Sequence, residues 1–304
     1  MKETGKIWMN GKLVPFKNAK VHVLTHALHY STSIFEGIRC YDTPEGSAIF
    51  RLPEHIDRFF NSAKMYSMKM PYSKKKISDG IVSTVNASKL KQCYIRPLAY
   101  YGYGTMGLTP TNNKVDVSIS CWEWKMGESK AGKFSGAKCK ISKWVRIDSK
   151  SQPMKAKSAA NYSNAALARM EALNAGYDEA IMLNNKGHVA EGSAENIFVV
   201  KNGRITTPPL DADILDGITR DSAIKLLKSN KIKVIEKNLR INDLLKADEI
   251  FMTGTAAEVK SVTRVNKTKI GDGKIGEVTK ELQELFMDTV MGKNKKFRSW
   301  LKFI

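Results

Sequence analysis

Three turn signals, each set beside strand-like runs, constrain the fold of this chain more than any other feature. Asn10-Gly11 separates Ile7-Trp8-Met9 from Lys12-Leu13-Val14, and its backbone preference for positive φ predicts a tight hairpin. Asn185-Lys186-Gly187 and Asn202-Gly203 punctuate three consecutive strand-like runs, which predicts an antiparallel meander rather than a parallel βαβ sheet. Helices are expected between such strands. From Pro53, Ile56, Phe59, Phe60, Ala63 and Tyr66 recur at helical spacing, with proline acceptable in the first turn. Further helices are predicted from Ile77 to Ser88, Asn161 to Asn174, Arg220 to Ser229, Asn242 to Lys246 and Val278 to Met291. Strands are predicted from Tyr94 to Leu98, Val115 to Ser120, Cys139 to Val145 and Glu179 to Leu183. The mixture is α/β in the α+β sense, and 304 residues suffice for two domains. A polar, Gly- and Lys-containing stretch from Trp122 to Phe134 marks the boundary. The division expected is a small N-terminal domain over 1–122, a linker over 123–133 and a larger C-terminal domain over 134–304.

Charge narrows the function classes. Lys and Arg number 50 against 30 Asp and Glu, a net charge of +20 that would suit a polyanion if it were clustered. Apart from short runs such as Lys74-Lys75-Lys76 and Lys295-Lys296, it is spread along the whole chain. A solubilising surface is therefore expected, with no nucleic-acid partner. No stretch approaches the about 20 apolar residues of a membrane span, and the charged start Met1-Lys2-Glu3 lacks the apolar run of a signal peptide. A cytoplasmic location and no membrane partner are expected. Cys40, Cys93, Cys121 and Cys139 form no Cys-x-x-Cys pair, so no metal site is expected and reduced, buried thiols are.

Lys157-Ser158-Ala159-Ala160-Asn161-Tyr162 carries the first chemical signal. A lysine amine forms a Schiff base only where burial or a neighbouring cation lowers its pKa toward neutrality. The small residues beside Lys157 leave room for a flat ring. Most lysines are solvated surface charge, so the rest of the sequence must argue for this one.

Three other segments do so. Leu215-Asp216-Gly217-Ile218-Thr219-Arg220 opens a helix, whose first N–H groups and positive end suit a phosphate, although Thr219 also reads as a simple helix cap. Thr253-Gly254-Thr255-Ala256-Ala257-Glu258 offers a second backbone cradle or a plain strand-to-turn connection. Glu191-Gly192-Ser193-Ala194-Glu195-Asn196 holds two acids ahead of the apolar run Ile197 to Val200. A lysine, a tyrosine, an acid and two phosphate cradles are the parts that bind pyridoxal phosphate. The lysine holds the aldehyde, the acid keeps the ring nitrogen protonated, and backbone amides hold the phosphate. The residues alone leave Glu191 and Glu195 as rivals for the acid.

Seven segments in order resemble the branched-chain amino acid aminotransferases, class IV aminotransferases of the fold-type IV architecture. They are Ala27-Leu28-His29-Tyr30, Phe35-Glu36-Gly37-Ile38-Arg39, Tyr94-Ile95-Arg96-Pro97, Lys155 to Tyr162, and the three segments above. The resemblance runs from about Ile7 to about Trp300. It implies that Lys157 is the Schiff-base lysine, which then shuttles a proton between the substrate α-carbon and the cofactor. It also implies that Glu191, rather than Glu195, faces the pyridine nitrogen and that Tyr162 bonds the ring hydroxyl. Arg58 would reach the phosphate with Gly217, Ile218, Thr219, Gly254 and Thr255, while Leu215 packs on the ring. Without the resemblance, Arg58 reads as a solvated arginine off the apolar stripe of its helix.

For substrate, the resemblance places Tyr30, Phe35, Gly37, Tyr94 and Leu108 at an apolar pocket. It places Arg96 at the distal carboxylate of glutamate or 2-oxoglutarate, and the α-carboxylate on Thr255-Ala256. The residue-level alternatives are core packing for the aromatic groups and a structural ion pair for Arg96. Amino group exchange between leucine, isoleucine or valine and 2-oxoglutarate follows, in a homodimer or higher homo-oligomer whose partner subunit completes the roof. Two departures stand out. Trp124-Lys125-Met126-Gly127 looks shortened and lacks the family's frequent aromatic loop residue, and alanines follow Lys157-Ser158 where glycines are common. A D-amino acid aminotransferase or an aminodeoxychorismate lyase would share the lysine and acid, but not Phe35 to Arg39 or Thr253 to Ala257.

Overall fold

The computed structural model describes residues 5–110, 112–124 and 136–304. Two compact units emerge: Met1–Lys125 with Ala156–Ala160 and Val290–Ile304, and Met126–Lys155 with Asn161–Thr289. Of the expected linker 123–133, Glu123 ends a strand, Trp124 follows it, and 125–133 lie outside the described residues, as does the Lys125-Met126-Gly127 part of the shortened loop.

The first unit contains β1 (Lys6–Met9), β2 (Lys12–Pro15), α1 (His26–Tyr30), β3 (Ser33–Phe35), β4 (Ile38–Thr43) and β5 (Gly46–Phe50). It continues with α2 (Leu52–Met65), α3 (Lys74–Ser88), β6 (Cys93–Tyr101) and β7 (Val115–Glu123). The Asn10-Gly11 hairpin forms as predicted, with both residues at positive φ and Met9 opposite Lys12. The predicted helices are α2 and α3, the second starting earlier because the Ser73 hydroxyl caps the Lys76 N–H. The sheet runs from the C-terminal strand Leu301–Phe303 through β5, β4, β6, β7 and β1 to β2. Ile56, Phe59, Ala63, Ile77, Ile81 and Val85 of the helices pack with Cys40, Cys93, Ile95 and Ile119 of the strands in one core.

One interruption in this sheet positions the site. β6 pairs with β3 at Leu98 to Tyr100 and with β4 at Cys93 to Ile95. Between them the ladder breaks at Glu36-Gly37, opposite Pro97, which has no N–H to give. The Glu36 N–H still reaches the Pro97 carbonyl at 2.9 Å.

The second unit holds β8 (Ala137–Ile141), α4 (Ala159–Asn174, whose first two residues belong to the first unit), β9 (Glu179–Leu183), β10 (Val189–Gly192), β11 (Asn196–Lys201) and β12 (Arg204–Thr207). After these come α5 (Ile218–Ser229), β13 (Val234–Glu236), α6 (Ile241–Leu245), β14 (Glu249–Gly254), β15 (Glu258–Val265), β16 (Thr268–Lys269) and α7 (Glu277–Val290). The expected meander is not formed. Both turns make antiparallel hairpins, β9–β10 and β11–β12, but the sheet order is β10-β9-β8-β15-β14-β11-β12-β13. Turn chemistry is local and fixes each hairpin, whereas the pairing of hairpins is decided by distant strands. The predicted strand from Cys139 to Val145 is also cut short. The Ser142 hydroxyl bonds Glu171 at 2.6 Å, and Trp144 and Val145 are exposed.

All four cysteines are buried and none is in a disulfide. Among the described residues no helix is long and apolar enough to cross a membrane.

Candidate active site

Helix α2 carries two inward stripes. Ile56, Phe59 and Ala63 face the core, while His55, Arg58 and Ser62, at i, i+3 and i+7, form a polar stripe beside them. The stripe meets the Glu36-Gly37 break. Arg58 forks onto Glu36, Nε to Oε1 at 2.6 Å and Nη2 to Oε2 at 2.8 Å, and His55 Nδ1–H donates to Oε2 at 2.7 Å. Burial pushes the Glu36 carboxyl up, but the Arg58 charge and the hydrogen bonds from Arg58 and His55 outweigh it and hold it well below the usual carboxylate range. His55 is pushed below its ordinary value by burial, and Glu36 restores only part. Arg58, with its side chain 12% exposed, is therefore largely buried and paired, not the solvated arginine its place off the apolar stripe suggested.

Lys157 sits against this polar stripe. Its N–H donates to Ser62 Oγ at 2.9 Å, its carbonyl accepts the Phe35 N–H at 2.9 Å, and Ser158 bridges Ile34. Its ammonium lies 5.1 Å from the centre of the Phe35 ring. Burial and then the Arg58 charge push the Lys157 pKa down to about 8; Glu36 and Tyr94 pull the other way and Arg96 adds a little. About a tenth of the amine is then uncharged at pH 7, far more than for a solvated lysine, which is the direction a Schiff-base lysine requires. Lys155, two residues earlier, is exposed.

The same unit gathers aromatic rings around an arginine. Tyr94 stacks on Trp122 at 5.1 Å between centroids and tilts against Trp124 at 5.5 Å. The Arg96 guanidinium lies 4.7 Å from the Phe35 ring and 5.5 Å from each of Tyr94 and Trp122. Its buried Nε has no hydrogen-bond partner, and among the described residues no carboxylate pairs with it. The ion-pair alternative for Arg96 is thereby set aside. Gly37 lies against the Tyr94 hydroxyl so closely that a Cβ there would overlap it. Tyr30 and Leu108 are exposed, 41% and 75%, and Tyr30 donates its hydroxyl to the Met106 carbonyl, so the structure does not bring these two into the aromatic group.

In the second unit the rival acids separate. Glu191 is buried, ion-paired with Arg146 Nη2 at 2.8 Å, and accepts from Asn196 Nδ2 at 3.0 Å and the Leu215 N–H at 3.2 Å. Glu195 is half-buried, and its Oε2 accepts the neighbouring Ala194 N–H. Gly217 begins α5 with no side-chain cap, so Thr219 lies inside the helix rather than capping it, and Ile218 and Thr219 are buried. The first N–H groups of α5 are thus left for another acceptor. Gly254 pairs with Glu258 at the β14–β15 turn, with Thr255 half-buried, Ala256 exposed, and the buried Thr253 Oγ1 without a hydrogen-bond partner. Tyr162 is half-buried on α4 and Leu215 half-buried before α5.

Residues 33–265 match the model of the class IV amino-transferase family. A branched-chain-amino-acid aminotransferase of Pseudomonas aeruginosa is 43% identical over 296 residues, covering 97% of this chain and 96% of that one. The chain belongs to the branched-chain-amino-acid aminotransferases of class IV. Crystal structures of the T.th. branched-chain amino acid aminotransferase, one complexed with N-(5'-phosphopyridoxyl)-L-glutamate and one with 4-methylvaleric acid, match with TM-scores of 0.94. Each is 43% identical and covers 100% of this chain and 99% of the other.

The aminotransferase holds several residues in these groups that type and spacing do not reveal, Glu36, Arg146, Asn196 and Trp122, and one that they could, His55. His55 had a signal, since it shares the α2 polar stripe with Arg58 and Ser62. Arg146 had none, because the strand predicted to run through Val145 breaks off before it.

Proposed function

We propose that this aminotransferase exchanges amino groups between leucine, isoleucine or valine and 2-oxoglutarate, with pyridoxal 5'-phosphate as its cofactor. The observation that carries the reading is Lys157, half-buried and pushed down to about 8 by burial and by Arg58. The donor set fits the cofactor. It offers a poised amine, a buried acid within a hydrogen-bonded network, and a helix start with an uncapped glycine. Bound pyridoxal phosphate supplies an aldehyde to carry the amino group and a ring that withdraws electrons from the substrate α-carbon.

The chain's own residues divide the remaining work. Lys157 Nζ holds the cofactor and then moves the proton at the substrate α-carbon. Glu191, steadied by Arg146, holds the ring nitrogen protonated, Tyr162 bonds the ring hydroxyl and Leu215 packs on the ring. Arg58, Gly217, Ile218, Thr219, Gly254 and Thr255 hold the phosphate. Phe35, Gly37 and Tyr94 shape the side-chain pocket, and Arg96, ringed by aromatic faces, pairs the distal carboxylate of the oxo acid. Thr255-Ala256 takes the α-carboxylate. Tyr30 and Leu108, exposed in the single chain, serve in a homodimer or higher homo-oligomer, in the cytoplasm. Complexes of the T.th. relative with a phosphopyridoxyl-glutamate and with 4-methylvaleric acid support this pairing of substrates.

Visible absorbance after adding pyridoxal phosphate tests the reading. Lys157→Ala is expected to lose the band and more than about a hundred-fold in rate, while Lys155→Ala keeps both. A band unaffected by Lys157→Ala would overturn it. Donor assays with L-leucine, L-valine and D-alanine separate this reading from a D-amino acid aminotransferase.

A further inference from the structure

Among the described residues, Glu36 is the most deeply buried acid of the first unit, and its carboxylate contacts serve the polar stripe of α2 and its own strand break. Its two oxygens are engaged by Arg58 Nε and Nη2, by His55 Nδ1, and, at 3.3 Å, by the Gly37 N–H. The flanking residues bind the two other sides of the same site. Phe35 gives its N–H to the Lys157 carbonyl, and Gly37 lies against Tyr94. A fully buried carboxylate carries a desolvation cost that its partners only offset, and an uncharged residue would avoid it. Here the chain could close the sheet break with an uncharged residue, since Pro97 already prevents a regular ladder there.

We propose that Glu36 is a positioning residue, which, held by His55, fixes the Arg58 guanidinium in the orientation that meets the cofactor phosphate and balances the Arg58 charge beside Lys157. The proposal rests on the reading of Arg58 as a phosphate ligand. A guanidinium on a flexible stem reaches an anion productively only if its plane is set in advance, and a two-point fork sets it. His55 holds the fork's base in turn: its uncharged ring donates one hydrogen bond and adds no second positive charge near Lys157. Removing the Glu36 charge takes away an attraction that offsets the Arg58 charge at Lys157, which favours the uncharged amine still further.

The test compares pyridoxal 5'-phosphate with pyridoxal, which lacks the phosphate, as probes of the apo-protein. Glu36→Gln is expected to weaken pyridoxal phosphate about tenfold or more, to leave pyridoxal within about twofold, and to lower the pH at which the bound cofactor's visible band titrates. In Arg58→Ala, Glu36→Gln is expected to add no further loss, because its effect passes through the missing guanidinium. His55→Phe gives a second variant, expected to act in the same direction by a smaller factor while leaving pyridoxal unchanged. Equal weakening of both probes, full additivity with Arg58→Ala, or wild-type affinity in Glu36→Gln each overturns the proposal. Wild-type affinity in Arg58→Ala alone overturns the phosphate role of Arg58 and this proposal with it, which distinguishes that failure from the others.

Discussion

Arg146 and Glu191 meet at 2.8 Å with both side chains almost wholly buried, at 5% and 6% exposure. Such a pair adds little over an apolar pair of the same volume, yet either half alone is expensive, because an uncompensated charge remains inside. Arg146→Ala is therefore expected to lose about 3–5 kcal/mol of stability in urea unfolding of the apo-protein. Glu191→Gln leaves the arginine in the same position and should fall in the same range. A change within about 1 kcal/mol for both would mean that water reaches the pair and that Glu191 does not depend on Arg146 for its place in the interior.

Lys157 makes stability depend on pH in a window set by its own shift. Its ordinary value is 10.5 and its folded value about 8, so the unfolded chain binds the proton more tightly. The cost of a charged Lys157 is absent above about 10.5, grows as pH falls, and is complete below about 8. Relative to Lys157→Met, the wild-type apo-protein should gain stability as pH rises from about 8 to 10.5. A difference that stays flat across that window would place the amine in water, and the poised-lysine account would go with it.

Local chemistry is legible in this sequence, and partnership across it is not. The Asn10-Gly11 turn, the apolar stripe of α2 and the glycine start of α5 are each settled within a few residues, and each forms as read. Arg58 reads as a surface residue because the carboxylate that draws it inward lies 22 residues away on another segment. The contest between Glu191 and Glu195 is undecidable locally for the same reason: Arg146 and the Leu215 N–H, both remote in sequence, meet the first. Sheet order fails similarly, since β14 and β15, which flank β11 and β8, come after the hairpins in the chain.

Gly37 and Tyr94 should be coupled in substrate binding. An added Cβ at position 37 would overlap the Tyr94 hydroxyl and lie 2.7 Å from its Cζ, and the ring cannot retreat freely because it stacks on Trp122. Gly37→Ala is expected to raise KM for branched-chain donors about tenfold with a smaller change in kcat. Adding Tyr94→Phe removes the worst contact and should recover part of the loss, a coupling of about 0.5 kcal/mol or more. Simple additivity of the two changes would show that Gly37 acts apart from Tyr94.

Gly217 poses the corresponding problem in the second unit, and its backbone is not the reason. With φ at −75° and ψ at 125° any residue could adopt its conformation. What excludes a side chain is Asn196, whose amide oxygen occupies the space of a Cβ while its Nδ2 bonds Glu191 and the Leu215 carbonyl. Gly217→Ala should therefore displace Asn196, loosen Glu191, and lower stability by about 1–3 kcal/mol, with weaker pyridoxal phosphate binding. In an Asn196→Ala background the obstruction is gone, and the same substitution should cost much less. If the cost in the two backgrounds is equal, the glycine is required by the close approach of the phosphate itself rather than by the amide that steadies the buried acid.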